Sequence, residues 1–221
     1  MSNELLFILM TLIALSFVVI AFRLGKVWLF ALMAVSAVLM NIFVVKGMYL
    51  FGLAATGGNI LYGSTFLTTD IINEYYGKKS ATQAVMVGFG ASIFFLITSQ
   101  LITAFQPADY DIAQNAFQTI FSLTPRIVLG SMVAYLIAQN LDVLLYDWLK
   151  KITNAKYLWL RNNGSTFVSQ LVDSIIFTTI AFAGIYPLTQ LIIFTYLIKI
   201  IVAILDTPFI YLTKIIKPKN L

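Results

Sequence analysis

The sequence predicts an all-α integral membrane protein, with a six-helix core of two inverted three-helix repeats preceded by one extra transmembrane helix. Three observations carry this. Of the 221 residues, 60% are hydrophobic and 10% charged, against about 25% charged in a soluble domain. Seven apolar stretches follow one another with short linkers, each near the ~20 residues that cross about 30 Å of hydrocarbon. A tetrapeptide, Gly63-Ser64-Thr65-Phe66, returns as Gly164-Ser165-Thr166-Phe167, and each copy leads to an aspartate, Asp70 or Asp173. A mean hydropathy of +0.92 leaves too little polar surface to keep a soluble globule dispersed, so lipid is the main solvent.

The first span, 4–22, has the length of a crossing helix. As a signal peptide it would need a basic start and a small-residue cleavage site. It carries Glu4, no Lys or Arg before the apolar run, and no such site. Residues 1–26 are therefore read as a retained extra helix, and 27–221 as the core. The core spans are 27–46, 58–76, 80–105, 120–148, 164–186 and 188–213. Residues 47–64 hold five glycines, which weaken a helix interior; broken backbone there is expected to line a cavity. Residues 107–118 are too polar to cross and are expected to form a loop or surface helix. The repeated tetrapeptide places spans three and six in equivalent, inverted positions, an arrangement that puts a solute site at the repeat interface. Chance is the competing explanation of so short a match.

Basic residues set the orientation. Arg23, Lys26, Lys78, Lys79, Lys150, Lys151, Lys156, Arg161, Lys214, Lys217 and Lys219 are eleven of the fourteen, and they fall on every second connection. By the positive-inside rule those connections are cytoplasmic, with the N-terminus outside and the C-terminus inside. The opposite side holds Lys46, Asp109–Asp111 and a tight Tyr186–Pro187 turn. The same rule accounts for the net charge of +5 without a nucleic-acid partner.

The informative residues are charges placed where lipid would reject them. A charge at the bilayer centre costs about 2.5–3.5 kcal/mol on insertion scales, so it faces protein or a wet cavity. Counting 1.5 Å per residue, Asp173 and Lys199 both fall near the midplane. Two readings stand: an ion pair that joins adjacent helices, or groups pointing into a solute cavity. Polar stripes at helical spacing favour a chamber: Thr166, Gln170, Asp173 and Phe177; Ser131, Tyr135, Gln139, Asp142 and Tyr146; Tyr196, Lys199 and Asp206. Isolated Ser, Thr or Gln would instead serve helix packing. Asp70 lies about 12 Å deep, and Glu74 one turn nearer the surface, solvated or paired with a lysine. Arg126 reads as a helix-end anchor with a snorkelling head or as a gating residue. Asn41 is an intramembrane amide that needs partners.

Cysteine and histidine are absent, which removes thiolate and imidazole metal sites and the usual nucleophile–base pairs. No P-loop or zinc-protease motif occurs, and Asp70-Ile71 does not match an intramembrane aspartyl protease. No metal or cofactor is expected, and no enzyme.

The stretch Phe66-Leu67-Thr68-Thr69-Asp70-Ile71-Ile72-Asn73-Glu74-Tyr75-Tyr76-Gly77 resembles the signature of the queuosine-precursor transporter family, also called the vitamin uptake transporter family. The resemblance continues through Arg126-Ile127, Ser131, Ala134-Tyr135, Gln139 and Leu141-Asp142-Val143. It then runs through Ser165-Thr166, Asp173-Ser174, Phe182, Tyr196, Lys199 and Thr207-Pro208. Tyr62-Gly63 departs from a frequent Tyr-Pro. The resemblance implies a six-helix core and uptake of 7-deazaguanines such as preQ0, preQ1 or queuine. It implies a site drawn from Asn41, Phe66, Asp70, Glu74, Tyr135, Gln139, Asp142, Thr166, Gln170, Asp173, Tyr196 and Lys199, with Arg126, Ser165, Asp206 and Pro208 in structural or gating roles. A carboxylate would accept the paired N–H donors of the base, and aromatic rings would stack on it. The partners implied are the deazapurine and the bilayer, and a homodimer is allowed. The alternatives are a substrate-capture subunit of an ATP-driven importer and an intramembrane enzyme.

Overall fold

In the computed structural model, which describes residues 1–121, 125–184, 188–216 and 218, the chain opens with two helices, α1 (Asn3–Leu24) and α2 (Lys26–Phe43). A two-stranded hairpin follows, β1 (Gly47–Leu50) and β2 (Leu53–Thr56). Then come α3 (Gly58–Tyr76), α4 (Lys78–Ala104), the short α5 (Gln114–Phe121), α6 (Pro125–Ile152), α7 (Leu158–Phe182) and α8 (Leu188–Leu212). Six of these helices, α1, α2, α4, α6, α7 and α8, are long and apolar enough to cross a membrane.

The seventh long helix, α3, fails that test because of its polarity, and its packing explains why the polarity is tolerated. Every residue from Gly58 to Asn73 except Tyr62 is buried, and α3 touches all six other long helices. It is solvated by protein rather than by lipid, so Thr65, Thr68, Thr69, Asp70 and Asn73 meet partners or one another. The outer helices show the opposite pattern. On α1, Leu5, Ile13, Phe17 and Ile20 are about half exposed while Phe7, Leu15, Val18 and Phe22 are buried. The lipid face and the core face of α1 are both apolar, which is why its sequence shows little amphipathic contrast.

α3 approaches α8 closely at Gly63. A Cβ at this position would overlap the Val202 side chain, so glycine here sets the distance between the two helices. Gly63→Ala is expected to destabilise the fold by about 1–3 kcal/mol through overpacking. Thermal unfolding in detergent should show the loss, and Gly63→Ala/Val202→Ala should recover most of it.

The structure corrects the expected elements in two places. The glycine-rich stretch is not only broken helix: residues 47–56 form an antiparallel hairpin, with Gly47 opposite Thr56 and Leu50 opposite Leu53. Its turn residues Phe51 (φ 53°) and Gly52 (φ 77°) both have positive φ, as a two-residue primed turn requires. The hairpin is tied to α1, where Asn3 Nδ2 donates to the Tyr49 carbonyl (3.1 Å) and the Phe51 N–H donates to Glu4 (3.2 Å). Second, α7 begins at Leu158, six residues before the expected 164. Arg161 is thus no loop residue but a buried one, 1% exposed, because Leu158-Trp159-Leu160 already starts the helix. The polar 107–118 region, expected as a loop or surface helix, contains the start of the short helix α5. The Tyr186–Pro187 turn, Lys217 and Lys219 lie outside the described residues.

The two Gly-Ser-Thr-Phe segments fall on α3 and α7 and address the same helix, α6. Gln139 Nε2 donates to Thr65 Oγ1 (3.0 Å), and Thr166 Oγ1 donates to Asp142 (3.4 Å), one turn further along α6.

Candidate functional site

Polar side chains stack in three levels along the bundle, beginning near the hairpin. The first level is a slit walled by Asn41, Tyr62, Phe89, Ser131, Tyr135 and Lys199, with Phe177 and Asn59 at its edge. It encloses about 600 Å³ of atom-free space up to its open mouth. Little of it is wide enough for a water molecule, so the space is narrow. It leads into a wider, open vestibule between the hairpin, α7 and α8, with Val44, Thr56, Asn59 and Phe177 common to both. Entry is therefore from the hairpin end.

Lys199 joins this slit to the buried interior. Its ammonium bonds Asp173 Oδ2 and lies 4.2 Å from the Tyr62 ring centroid, a cation–π arrangement. The pair bridges α7 and α8, and Lys199 stands at the cavity wall. Asp173 Oδ1, Gln170 Oε1 and Ser174 Oγ, all on α7, are buried without a hydrogen-bond partner. Asn41 donates to the Ala37 carbonyl (2.8 Å) and to Ser92 (3.3 Å). Tyr135 donates to the Val85 carbonyl (3.3 Å). Phe66 is fully buried behind Tyr62, with ring centroids 6.4 Å apart.

The second level is acidic. Asp70 from α3, Asp142 from α6 and Asp206 from α8 are 1%, 0% and 0% exposed. Asp142 accepts from Ser169 (3.1 Å) and Thr166 (3.4 Å), and Asp206 accepts from Asn162 (2.7 Å). Asp70 has no donor on either oxygen. The hydroxyls around it are spent on the backbone of α3 itself: Ser64 on Leu61 (2.7 Å), Thr68 on Ser64 (2.6 Å) and Thr69 on Phe66 (2.9 Å). This back-bonding is habitual for Ser and Thr within helices.

The third level closes the far end with ion pairs. Arg161 forks onto Glu74, Nε to Oε2 at 3.0 Å and Nη2 to Oε1 at 2.7 Å. Lys150 adds a 3.3 Å contact and Tyr146 a 3.1 Å hydrogen bond to the same carboxylate. A bidentate Arg–carboxylate pair is the strong form of this interaction.

Of the residues singled out in the sequence, Asn41, Ser131, Tyr135, Phe177 and Lys199 line the slit, and Asp173 is reached through Lys199. Gln139 lies fully buried between Thr65 and Thr69. Ser165 donates to the Asn162 carbonyl (3.4 Å). Tyr196 is half-buried on α8, outside the slit wall, and Pro208 lies inside α8. Arg126 is exposed and donates to the Ile180 (2.5 Å) and Ala183 (2.7 Å) carbonyls. It thus anchors the C-terminal end of α7. Sequence reasoning missed Tyr62, Arg161 and Asn162. The signal for the last two was the apolar Leu158–Leu160 run, which shows the helix already under way.

A helical bundle built for lipid, holding a polar slit open at one end and ion-paired shut at the other, defines a membrane transporter. A family described as "Putative vitamin uptake transporter" matches residues 56–213. The chain is 44% identical over 200 residues to a "Probable queuosine precursor transporter" of Bacillus subtilis (strain 168), covering 89% of this chain and 87% of that one. It is 27% identical over 139 residues to a protein of the same description from Haemophilus influenzae (strain ATCC 51907 / DSM 11121 / KW20 / Rd), covering 60% and 54%. No solved structure matches it. The chain belongs to the vitamin uptake transporter family.

Proposed function

We propose that the protein imports 7-deazaguanine precursors of queuosine across the cytoplasmic membrane, without chemical change to the solute. The observation that carries this is the Lys199–Asp173 pair at the wall of a slit entered from one end. The names of both relatives supply the solute class. A deazaguanine edge presents adjacent N–H donors beside a carbonyl. Asp173 Oδ1 and Gln170 Oε1 are open acceptors and Asn41, whose amide N–H groups are spent on Ala37 and Ser92, offers its Oδ1 as another, while the Lys199 ammonium is the donor to that carbonyl. Tyr62, Tyr135 and Phe177 are the rings against which a flat base would lie, each stack being worth about 1–3 kcal/mol. A narrow slit suits a planar guest.

Arg23, Lys26, Lys78, Lys79, Lys150, Lys151, Lys156 and Lys214 gather at the end opposite the hairpin. This supports that end as cytoplasmic and the slit as facing outward. The two tetrapeptide segments lie on helices of opposite direction, α3 running away from the hairpin and α7 toward it, which supports inverted repeats formed by α2–α4 and α6–α8.

Uptake of labelled preQ0 into liposomes containing this protein alone tests the reading. Accumulation that required an added ATPase partner would sink it. Asn41→Leu is expected to weaken preQ0 binding about tenfold, the worth of one hydrogen bond. Calorimetric titration of the purified protein with guanine, preQ0, preQ1 and queuine measures this and ranks the solutes.

A further inference from the structure

The acidic level has no part in the slit wall, and its chemistry is unbalanced in one direction. Six buried atoms there lack a hydrogen-bond partner: both Asp70 oxygens, Asp142 Oδ2, Asp206 Oδ2, Asn73 Oδ1 and Asn162 Oδ1. All six are acceptors. The amide nitrogens of the two asparagines are already committed, Asn73 to the Val143 carbonyl (3.0 Å) and Asn162 to Asp206. Their carbonyl oxygens therefore remain open beside the carboxylates. The Asp70 carboxyl adjoins that of Asp142, with Asp206 within electrostatic range.

The charges around this level do not neutralise it. On α3, Glu74 lies one turn away and is itself negative. On α6, Tyr146 faces Glu74, and Lys150 is bound to Glu74. On α7, Arg161 is spent on Glu74, and Asp173 lies toward the slit. On α8, Lys199 is spent on Asp173. Lys26 of α2 is bonded to Ser80 of α4 (2.7 Å), while Arg23, Lys78 and Lys79 are exposed. Two carboxylates side by side, buried and without a cation of their own, cannot both stay ionised. No three carboxylates among the described residues converge as metal ligands. One proton answers the imbalance, since it removes a negative charge and turns one orphaned acceptor into a donor to its neighbour.

We propose that Asp70 and Asp142 form a proton-binding site, separate from the solute slit, that couples import to proton entry. The solute part of this rests on the function proposed above. Asp70, Asp142 and Asp206 come from three helices, so loss of the proton sets α3, α6 and α8 against one another. Asp70 lies one turn from Glu74, placing this repulsion next to the ion pairs that close the far end. The proton arrives as the O–H of one carboxyl and leaves from the same oxygen; no other bond changes.

The test has a solute-free arm and a transport arm. A proton held by the folded state and released on unfolding makes stability fall as pH rises. The melting temperature of the purified protein should drop by about 3 °C or more between pH 5.5 and 8.5. Asp70→Asn/Asp142→Asn should flatten that dependence. In liposomes, an inward proton gradient should drive the parent to concentrate labelled preQ0. Asp70→Asn should lose this concentration while still exchanging internal for external preQ0. A pH dependence unchanged in the double variant, gradient-driven accumulation by Asp70→Asn, or accumulation sustained by sodium at equal pH would each overturn the proposal. If the parent carries no preQ0 while the melting arm behaves as stated, the solute assignment has failed and the proton site stands.

Discussion

Lys199→Met should cost about 3–5 kcal/mol of stability, the usual penalty for stranding one partner of a buried ion pair, and should abolish uptake. The reason lies in burial: Lys199 and Asp173 side chains are 2% and 0% exposed. With Asp173 itself fully buried, the fold must accommodate a bare carboxylate or protonate it. Thermal unfolding in detergent reads the first effect and liposome uptake the second. The double variant Lys199→Met/Asp173→Leu separates structure from function. Replacing a buried pair with apolar residues of similar size is often neutral or stabilising, so the double variant should unfold close to the parent while remaining inactive. A double variant that transports normally would show the pair to be helix-joining alone.

Arg161→Met should open the end of the bundle that Glu74 closes. The guanidinium is 1% exposed and makes both of its carboxylate bonds to Glu74, whose side chain is 17% exposed. Lys150 remains as a weaker partner, so the loss belongs at the low end of the buried-pair range, about 3 kcal/mol. At about 1.4 kcal/mol per tenfold, the opened population should rise about a hundredfold. The chain has no cysteine, which makes the readout clean. Ser165→Cys places a thiol at a fully buried position, one turn from Arg161. A water-soluble maleimide should label it slowly in the parent background and far faster with Arg161→Met. Equal rates in the two backgrounds would show that these ion pairs do not hold the end shut.

Much of this protein was legible in the sequence because lipid imposes a simple rule. Apolar length reveals a crossing helix wherever the helix faces lipid, so α1, α2, α4 and α8 were found nearly at their ends, and α6 four to five residues out of place. Costly intramembrane polar groups reveal an interior, so Asp70, Asp142, Asp173 and Lys199 were named before any contact was visible. The rule fails where protein replaces lipid. The start of α7 was missed because Arg161 and Asn162 look like loop residues unless Glu74 and Asp206 are known to face them. The hairpin was missed because five glycines report a broken helix without saying what replaces it.

The sequence by itself determined the solvent, the number of long helices and which side chains must avoid lipid, because these follow from transfer cost residue by residue. Only the tertiary structure decided how those side chains are shared out. It put Lys199 with Asp173 at the slit and Arg161 with Glu74 at the closed end, and left Asp70 and Asp142 facing each other. Pairing depends on which faces α3, α6, α7 and α8 turn toward one another, and counting residues along the chain gives depth without giving that facing.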